Sequence, residues 1–250
     1  LYIILYQLYQ NMEVWTLGHI KDAILNNVSD GLQGDVNAPI PEEQIRSEII
    51  LLRNALTVAG FTAEKGVSAR MPERSDLDQH IGCLEVKEGH SSACCEVTED
   101  DDQPVVMVPQ ILSVGDTPLI SWLGPANKRG FSWKVYYGEG HKAKQYLPSG
   151  KRPYGVLYPP KDGYQALYLY NLPVGTTKIS TSAVYTDPYA IYEFSCCSVS
   201  GFGEVEDVVA LAAPDSMIAE IVNKLSQAYI NYYRQMNIPI MPNDQTDKNT

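Results

Sequence analysis

Pro41-Glu42-Glu43-Gln44-Ile45-Arg46-Ser47-Glu48-Ile49-Ile50-Leu51-Leu52-Arg53-Asn54-Ala55-Leu56-Thr57-Val58-Ala59-Gly60 is the stretch on which a reading of this chain turns. Ile45, Ile49, Leu52, Leu56 and Ala59 recur at helical spacing and define an apolar face. Arg46, Ser47, Arg53, Asn54 and Thr57 fall on the other. Pro41 suits the first helical position, where its missing N–H would have no partner in any case. Glu42 and Glu43 set negative charge against the positive end of the helix dipole. Gly60 supplies the left-handed residue that ends a helix. An amphipathic helix of this kind needs cover, so the rest of the chain is read for what provides it.

Two other stretches share the period. From Glu13 to Val28, Val14, Leu17, Ile20, Ile24 and Val28 lie near one face, although Gly18 costs about 1 kcal/mol against alanine. The following loop, Ser29 to Pro39, carries the turn signals Asp30-Gly31 and Gly34-Asp35, and two helices joined this way form an antiparallel hairpin if their apolar faces meet. From Pro214 to Met236, Ile218, Ile221, Leu225, Tyr229, Tyr232 and Met236 make a third stripe. Asp215 and Glu220 favour its start and Arg234 its end, and Pro239 and Pro242 stop it. Three stripes are buried most simply against one another. The expected organisation is a discontinuous helical domain, residues 1–62 plus 211–240, with a polar, mobile tail at 241–250.

Between the helices the pattern changes. Residues 63–82, with Gly66 and Pro72, read as a connector carrying a short helical turn from Ser75 to His80. Residues 83–210 read as a β domain. Strands are expected at Leu84–Val86, Cys94–Thr98, Val105–Val108, Ile120–Leu123, Phe131–Tyr137, Gly155–Tyr158, Gln165–Tyr170, Lys178–Tyr185 and Tyr192–Ser198. Glu139-Gly140, Pro148-Ser149-Gly150, Asp162-Gly163 and Pro173 to Gly175 mark turns between them. In Gln165–Tyr170 both alternating sets are partly apolar, which predicts cover on both faces. The fold class is therefore α+β: a helical bundle from both ends of the chain, with an inserted antiparallel sandwich or barrel.

Chemistry is scarce in the sequence. A net charge of −11 over 250 residues argues against a nucleic-acid grip, which needs basic groups to neutralise phosphates. The apolar run Leu1 to Asn11 is too short to span a bilayer, so no membrane role is expected; it reads as an extra leader ahead of Met12. Cys83, Cys94-Cys95 and Cys196-Cys197 show no C-x-x-C, and His80 and His90 flank Cys83 at no zinc spacing. Buried, reduced thiols in a reducing cytoplasm are the expectation, with no metal and no cofactor. Glu99 to Asp102 lacks the spaced ligands and glycine of a calcium loop and reads as a solvated tip. Gly138 to His141 and Gly201 to Gly203 lack the lysine and hydroxyl of a phosphate loop. His19, His80, His90 and His141 stand in no catalytic motif, so the chain is not expected to be an enzyme.

Order along the chain carries more than any one motif. The opening helix leads through Pro39-Ile40-Pro41 to Ile45-Arg46-Ser47-Glu48-Ile49 and Arg53-Asn54-Ala55-Leu56. Cys83-Leu84-Glu85-Val86, Cys94-Cys95-Glu96 and Val108-Pro109-Gln110-Ile111-Leu112 follow. Ala183-Val184-Tyr185-Thr186-Asp187-Pro188 ends a late strand, and a final helix precedes Pro242-Asn243-Asp244-Gln245-Thr246. In this order the chain resembles the ring or adaptor proteins in the neck of podovirus-type tailed bacteriophages, the crAss-like group in particular. Leu1 to Asn11 and Cys196-Cys197 depart from that pattern.

The resemblance implies a non-enzymatic virion protein, made in the host bacterial cytoplasm and built into the portal–tail neck as a head-to-tail connector. It implies a homo-oligomeric ring of twelve copies, touching the portal protein and neighbouring neck or tail proteins, through which DNA passes without specific binding. A ring is a heterologous interface closed by rotation. Candidate subunit contacts are Tyr229, Tyr232 and Tyr233 on the late helix and Asp187-Pro188, which also reads as a turn. Two competing readings stand beside it. One is a virion-associated binding module whose β domain presents Trp122 and Trp133 to carbohydrate or another cell-surface ligand. The other is a wall hydrolase, for which no residue set is apparent.

Overall fold

The computed structural model describes residues 15–32, 34–36, 40–63, 74–87, 103–126, 132–137, 152–194, 209–236 and 240–242. Four α-helices are described: α1 (Leu17–Leu32), α2 (Glu42–Ala63), the short α3 (Arg74–Leu77) and α4 (Asp215–Gln235). The chain divides into two compact units, Leu1–Leu56 with Gly201–Thr250, and Thr57–Ser200. The architecture is α+β, as expected.

In the first unit, α1 buries Leu17, Ile20, Ile24, Val28 and Leu32. It starts at Leu17 rather than at Glu13 because Thr16 caps it: the Thr16 hydroxyl accepts from the His19 N–H at 3.2 Å. It also runs through Ser29-Asp30-Gly31, which had read as a turn. Gly31 leaves room for α4, for a Cβ there would stand 2.5 Å from Ile230 Cδ1. Arg234 near the end of α4 donates to the Gly31 carbonyl at 3.2 Å. Strand β1 (Gly34–Val36) pairs antiparallel with β11 (Ile240–Pro242), so residues read as helix stop and tail belong to a small sheet instead.

Helix α2 corrects its own reading. It continues past Gly60 to Ala63, with the Thr62 hydroxyl bonded to the Val58 carbonyl at 2.7 Å. Pro41 stands one position before the first turn, and its carbonyl accepts from Gln44 and Ile45. The buried face is Ile45, Ile49, Arg53, Asn54 and Thr57, whereas Leu51 is 66% exposed and Leu52 and Leu56 are only half-buried. Arg53 is completely buried. Its Nε donates to the Ala212 carbonyl and its Nη1 to Asn54 Oδ1, both at 2.9 Å. Those partners replace the water that a buried guanidinium loses, which is what lets a polar side chain take the inner face.

The second unit holds two sheets. Strands β2 (Gln79–Glu85), β10 (Lys178–Ala183) and β6 (Ile120–Pro125) form one, in the order β2-β10-β6. Strands β3 (Val105–Pro109), β9 (Tyr164–Tyr170), β8 (Tyr154–Leu157) and β7 (Lys134–Tyr137) form the other, in the order β3-β9-β8-β7. Both contribute to one apolar core: Ile81, Leu84, Leu123 and Ile179 from the first, Val106, Val108, Leu157, Leu167 and Leu169 from the second. This is a sheet-on-sheet arrangement and not a closed barrel. Nor is it wholly antiparallel, because β7 and β8 run parallel. Residues 138–153 separate them, long enough for the crossover that a parallel pair requires.

Strand β9 is buried on both faces from Gln165 to Leu169, as its double apolar pattern predicts. Gln165 is the polar exception, and both ends are used: Oε1 accepts from Ile111 N–H at 2.7 Å and Nε2 donates to the Tyr158 carbonyl at 3.1 Å. Asp162-Gly163 closes the hairpin before β9 with φ of 53° and 82°, the two positive values of a type I′ turn. Strands β4 (Ser113–Val114) and β5 (Thr117–Pro118) make a further small hairpin. Tyr192–Ser198 had read as a strand. Ala190–Glu193 form instead a single 3-10 turn, after the Asp187 carboxylate accepts from the Tyr189 N–H at 2.8 Å and bends the chain. The readings at Leu1–Asn11, Cys94–Thr98, Glu99–Asp102, Gly138–His141, Pro148–Gly150, Cys196-Cys197, Gly201–Gly203 and 243–250 lie outside the described residues.

Candidate interaction surface

The third stripe divides along α4. Ile218, Ile221, Leu225 and Tyr229 are buried, as are Met217, Ile230 and Tyr233. Tyr232 is 50% exposed and Met236 58%. Tyr229 therefore belongs to the interior of the first unit, where its phenol donates to Glu48 Oε2 on α2 at 2.6 Å. Burial, and then that bond to the carboxylate, push its pKa well above the ordinary tyrosine value. Burial likewise raises Tyr233, with a smaller push from Tyr232, while a bond to the Ile40 backbone works the other way. Of the three tyrosines proposed for contact, only Tyr232 reaches the surface, its ring edge-on to that of Tyr233 at 5.6 Å.

Asp187 is exposed and its carboxylate serves the turn, while Pro188 is buried and its carbonyl accepts from Gln79 Nε2 at 2.8 Å. These two residues lie in the second unit, apart in sequence and in unit from α4. A signal for the outward residues did exist: Leu51 sits in α2 on the side away from Arg53, at the fourth residue after Ser47 and before Ala55. In the sequence Leu52 and Leu56 complete an apolar face, and Leu51 is hidden beside them.

The aromatic platform assigned to carbohydrate is not formed by Trp133, which is 8% exposed and packed into the core. Trp122 is half-buried beside His80, ring centres 6.2 Å apart. His80 Nδ1 lies 2.9 Å from the Ser182 hydroxyl, a base and a nucleophile in register across β2 and β10. The pair sits on an exposed strand face, and His80 has Ser182 and Trp122 as its described partners. Neither the third group that orients a catalytic imidazole nor a paired donor for an oxyanion accompanies it among the described residues.

A cleft of about 460 Å³ lies between β2, β3 and the 3-10 turn, lined by Glu85, Lys87, Lys178, Glu193 and Phe194. Its charges are of both signs, and Glu193 already accepts from the Tyr164 phenol at 2.7 Å. Cys83 at its edge is disulfide-bonded and only partly buried, so it is not the buried reduced thiol expected. No cluster of His, Cys, Asp and Glu with metal-holding geometry occurs among the described residues, and no described helix is long and apolar enough to cross a membrane. No known protein family matches the chain, and no curated protein matches it.

Proposed function

We propose that the chain is a structural virion protein: a ring in the portal–tail neck of a tailed bacteriophage, acting as head-to-tail connector and surrounding the DNA channel. What carries this reading is the colinear series of segments from Pro39-Ile40-Pro41 to Pro242-Asn243-Asp244-Gln245-Thr246, taken with its resemblance to the neck ring proteins. Two features of the fold support it. The first unit takes helices from before and after the two larger sheets, leaving those sheets as an insertion. Large apolar side chains, Leu51, Tyr232 and Met236, stay uncovered on that helical unit, which suits a protein whose work is to contact copies of itself.

The partners are other copies of the chain, twelve to a ring, with the portal protein and adjoining neck or tail proteins above and below. The net charge of −11 suits a channel that DNA must cross without sticking, since retention needs basic groups that release counterions. The test is electron microscopy and mass photometry of the purified protein and of virions. Rings of twelve copies seated between portal and tail are the expected result. Isolated monomers, outside any neck, overturn the reading.

A further inference from the structure

We infer that the cleft between β2 and β3 takes an extended peptide segment of another protein, a strand with an apolar side chain next to a carboxylate. The site lies wholly in the β unit and does not depend on ring formation.

The backbone at this cleft is left with open pairing. In an antiparallel ladder one residue turns its N–H and C=O to one neighbouring strand, and the next residue turns them to the other. Val86 donates to the Thr177 carbonyl on the β10 side, so Glu85, one residue earlier, points both groups away from β10. Leu169 of β9 donates to the Pro104 carbonyl, so Val105 and Met107 point theirs away from β9. These outward edges of β2 and β3 meet at Lys87 and Val105, which exchange both bonds at 3.0 and 2.9 Å. Glu85 with Met107 is the next pair that such a ladder would bond. It is not formed, and the two strands belong to different sheets. The cleft of about 460 Å³ opens there, with Leu84, Val106 and Phe194 among its lining.

The other join between the sheets is closed. Leu123 of β6 likewise points away from β10, yet its carbonyl accepts from the Trp133 N–H at 2.7 Å and its N–H donates to the Ser132 hydroxyl at 3.3 Å. One side of the sandwich is thus tied off, while the other stops after a single pair. Open strand edges are completed by a chain that presents N–H and C=O at the strand repeat of about 3.3 Å. Because the cleft is recessed between two strands, it admits a separate strand and not the flank of a folded sheet. Charge sets the character of that strand. Lys87, Lys178 and Glu85 are exposed at the cleft and form no ion pair among the described residues, whereas Glu193 is engaged by the Tyr164 phenol. Two lysines against one free glutamate leave a positive charge for an incoming carboxylate. Successive side chains of a strand point to opposite faces, so the neighbour of that carboxylate turns to Leu84 and Val106.

The probe is the peptide acetyl-Thr-Val-Asp-Val-Thr-amide, titrated into the full-length protein with backbone amide exchange followed by NMR. It binds, and exchange slows at the Glu85 amide, the Met107 amide or both. Methylating the backbone nitrogens of the two valines keeps the side chains and removes two donors, so affinity falls by about fivefold for each bond lost. Lys178→Glu weakens binding of this peptide and strengthens binding of the version with lysine in place of the aspartate, since charge here selects the partner. No binding at millimolar peptide overturns the inference. So does binding that leaves both amides unprotected, or equal affinity for the methylated peptide. Protection that appears on concentrating the protein without peptide would make the occupant a second copy and overturn it too. Mass photometry of the same samples reads ring formation separately, so either idea can fail without the other.

Discussion

Each unit of this protein has a point where a glycine lets two elements touch, and the two points differ in what presses on them. In the β unit, Gly155 in β8 faces the core; a Cβ there would lie 2.9 Å from Leu167 Cδ1 and 3.0 Å from Leu123 Cδ2. One leucine is in the same sheet and the other in the opposing one, so the site is closed from two sides. In the helical unit, Gly31 meets only the Ile230 side chain, at 2.5 Å and 3.1 Å. The tip of one isoleucine turns aside far more easily than two core leucines. The sheets hold a fixed spacing, whereas the helices are held by packing together with polar ties.

Gly155→Ala should show the largest effect. Overpacking a filled core costs about 1–3 kcal/mol, and this site belongs at the upper end because neither leucine has a free direction. Urea denaturation would read it as a fall in the midpoint with an unchanged slope. A neutral result would mean that the two sheets are not held at this distance.

Arg53 tests the other half of the contrast. The β unit's shared core is nearly all aliphatic, yet α2 turns a guanidinium inward and holds it with Ala212 and Asn54. Arg53→Met keeps the stem and removes both bonds, leaving the Ala212 carbonyl without its donor. A loss of about 2 kcal/mol is expected, the scale of hydrogen bonds made by a charged group. If Arg53→Met is as stable as the wild type, apolar packing alone holds this helix, as it does the sheets.

The legibility of the sequence divides along the same line. Asp162-Gly163 and the doubly apolar β9 were readable because turn chemistry and strand cover are local properties. The inner face of α2 was not, because one of the groups that hold Arg53 inside, the Ala212 carbonyl, lies in no window around Arg53. Gly31 was read as a turn for a like reason: its partner Ile230 is supplied by α4. The contact surface was half legible. The α4 stripe was visible in full, but near its end the covered face turns towards Ile230 and Tyr233 and leaves Tyr232 and Met236 exposed, which the period alone does not show. Trp133 shows the same limit, since an aromatic beside a serine reads alike on a platform and in a core.

Alkaline pH compares the units through one buried phenol each, Tyr229 with Glu48 in the first and Tyr185 in the β core. Burial raises both above the usual value. A folded pKa above the unfolded one means that stability is complete below about pH 10 and is lost as pH rises past it, where only the unfolded chain ionises. Each such tyrosine removes about 1 kcal/mol between pH 10 and 11. Tyr229→Phe and Tyr185→Phe should each flatten this fall in thermal scans, whatever they do to stability at pH 8. If neither changes the slope, the phenols ionise in place.

Gly31→Ala should be the mildest change and the most informative about the helices. The added methyl meets Ile230, a cost within the overpacking range of about 1–3 kcal/mol. Against this, alanine improves a helix over glycine by about 1 kcal/mol. The net is a loss of about 1 kcal/mol, unlike Gly155, where no helical gain offsets the clash. Ile230→Val deletes Cδ1, the atom nearest the new methyl. Combined with Gly31→Ala it should be less damaging than the two single changes added together. That coupling, measured by chemical denaturation, is the signature of α1 and α4 meeting at this residue. Strict additivity would place Ile230 elsewhere and detach the covered half of the α4 stripe from its explanation.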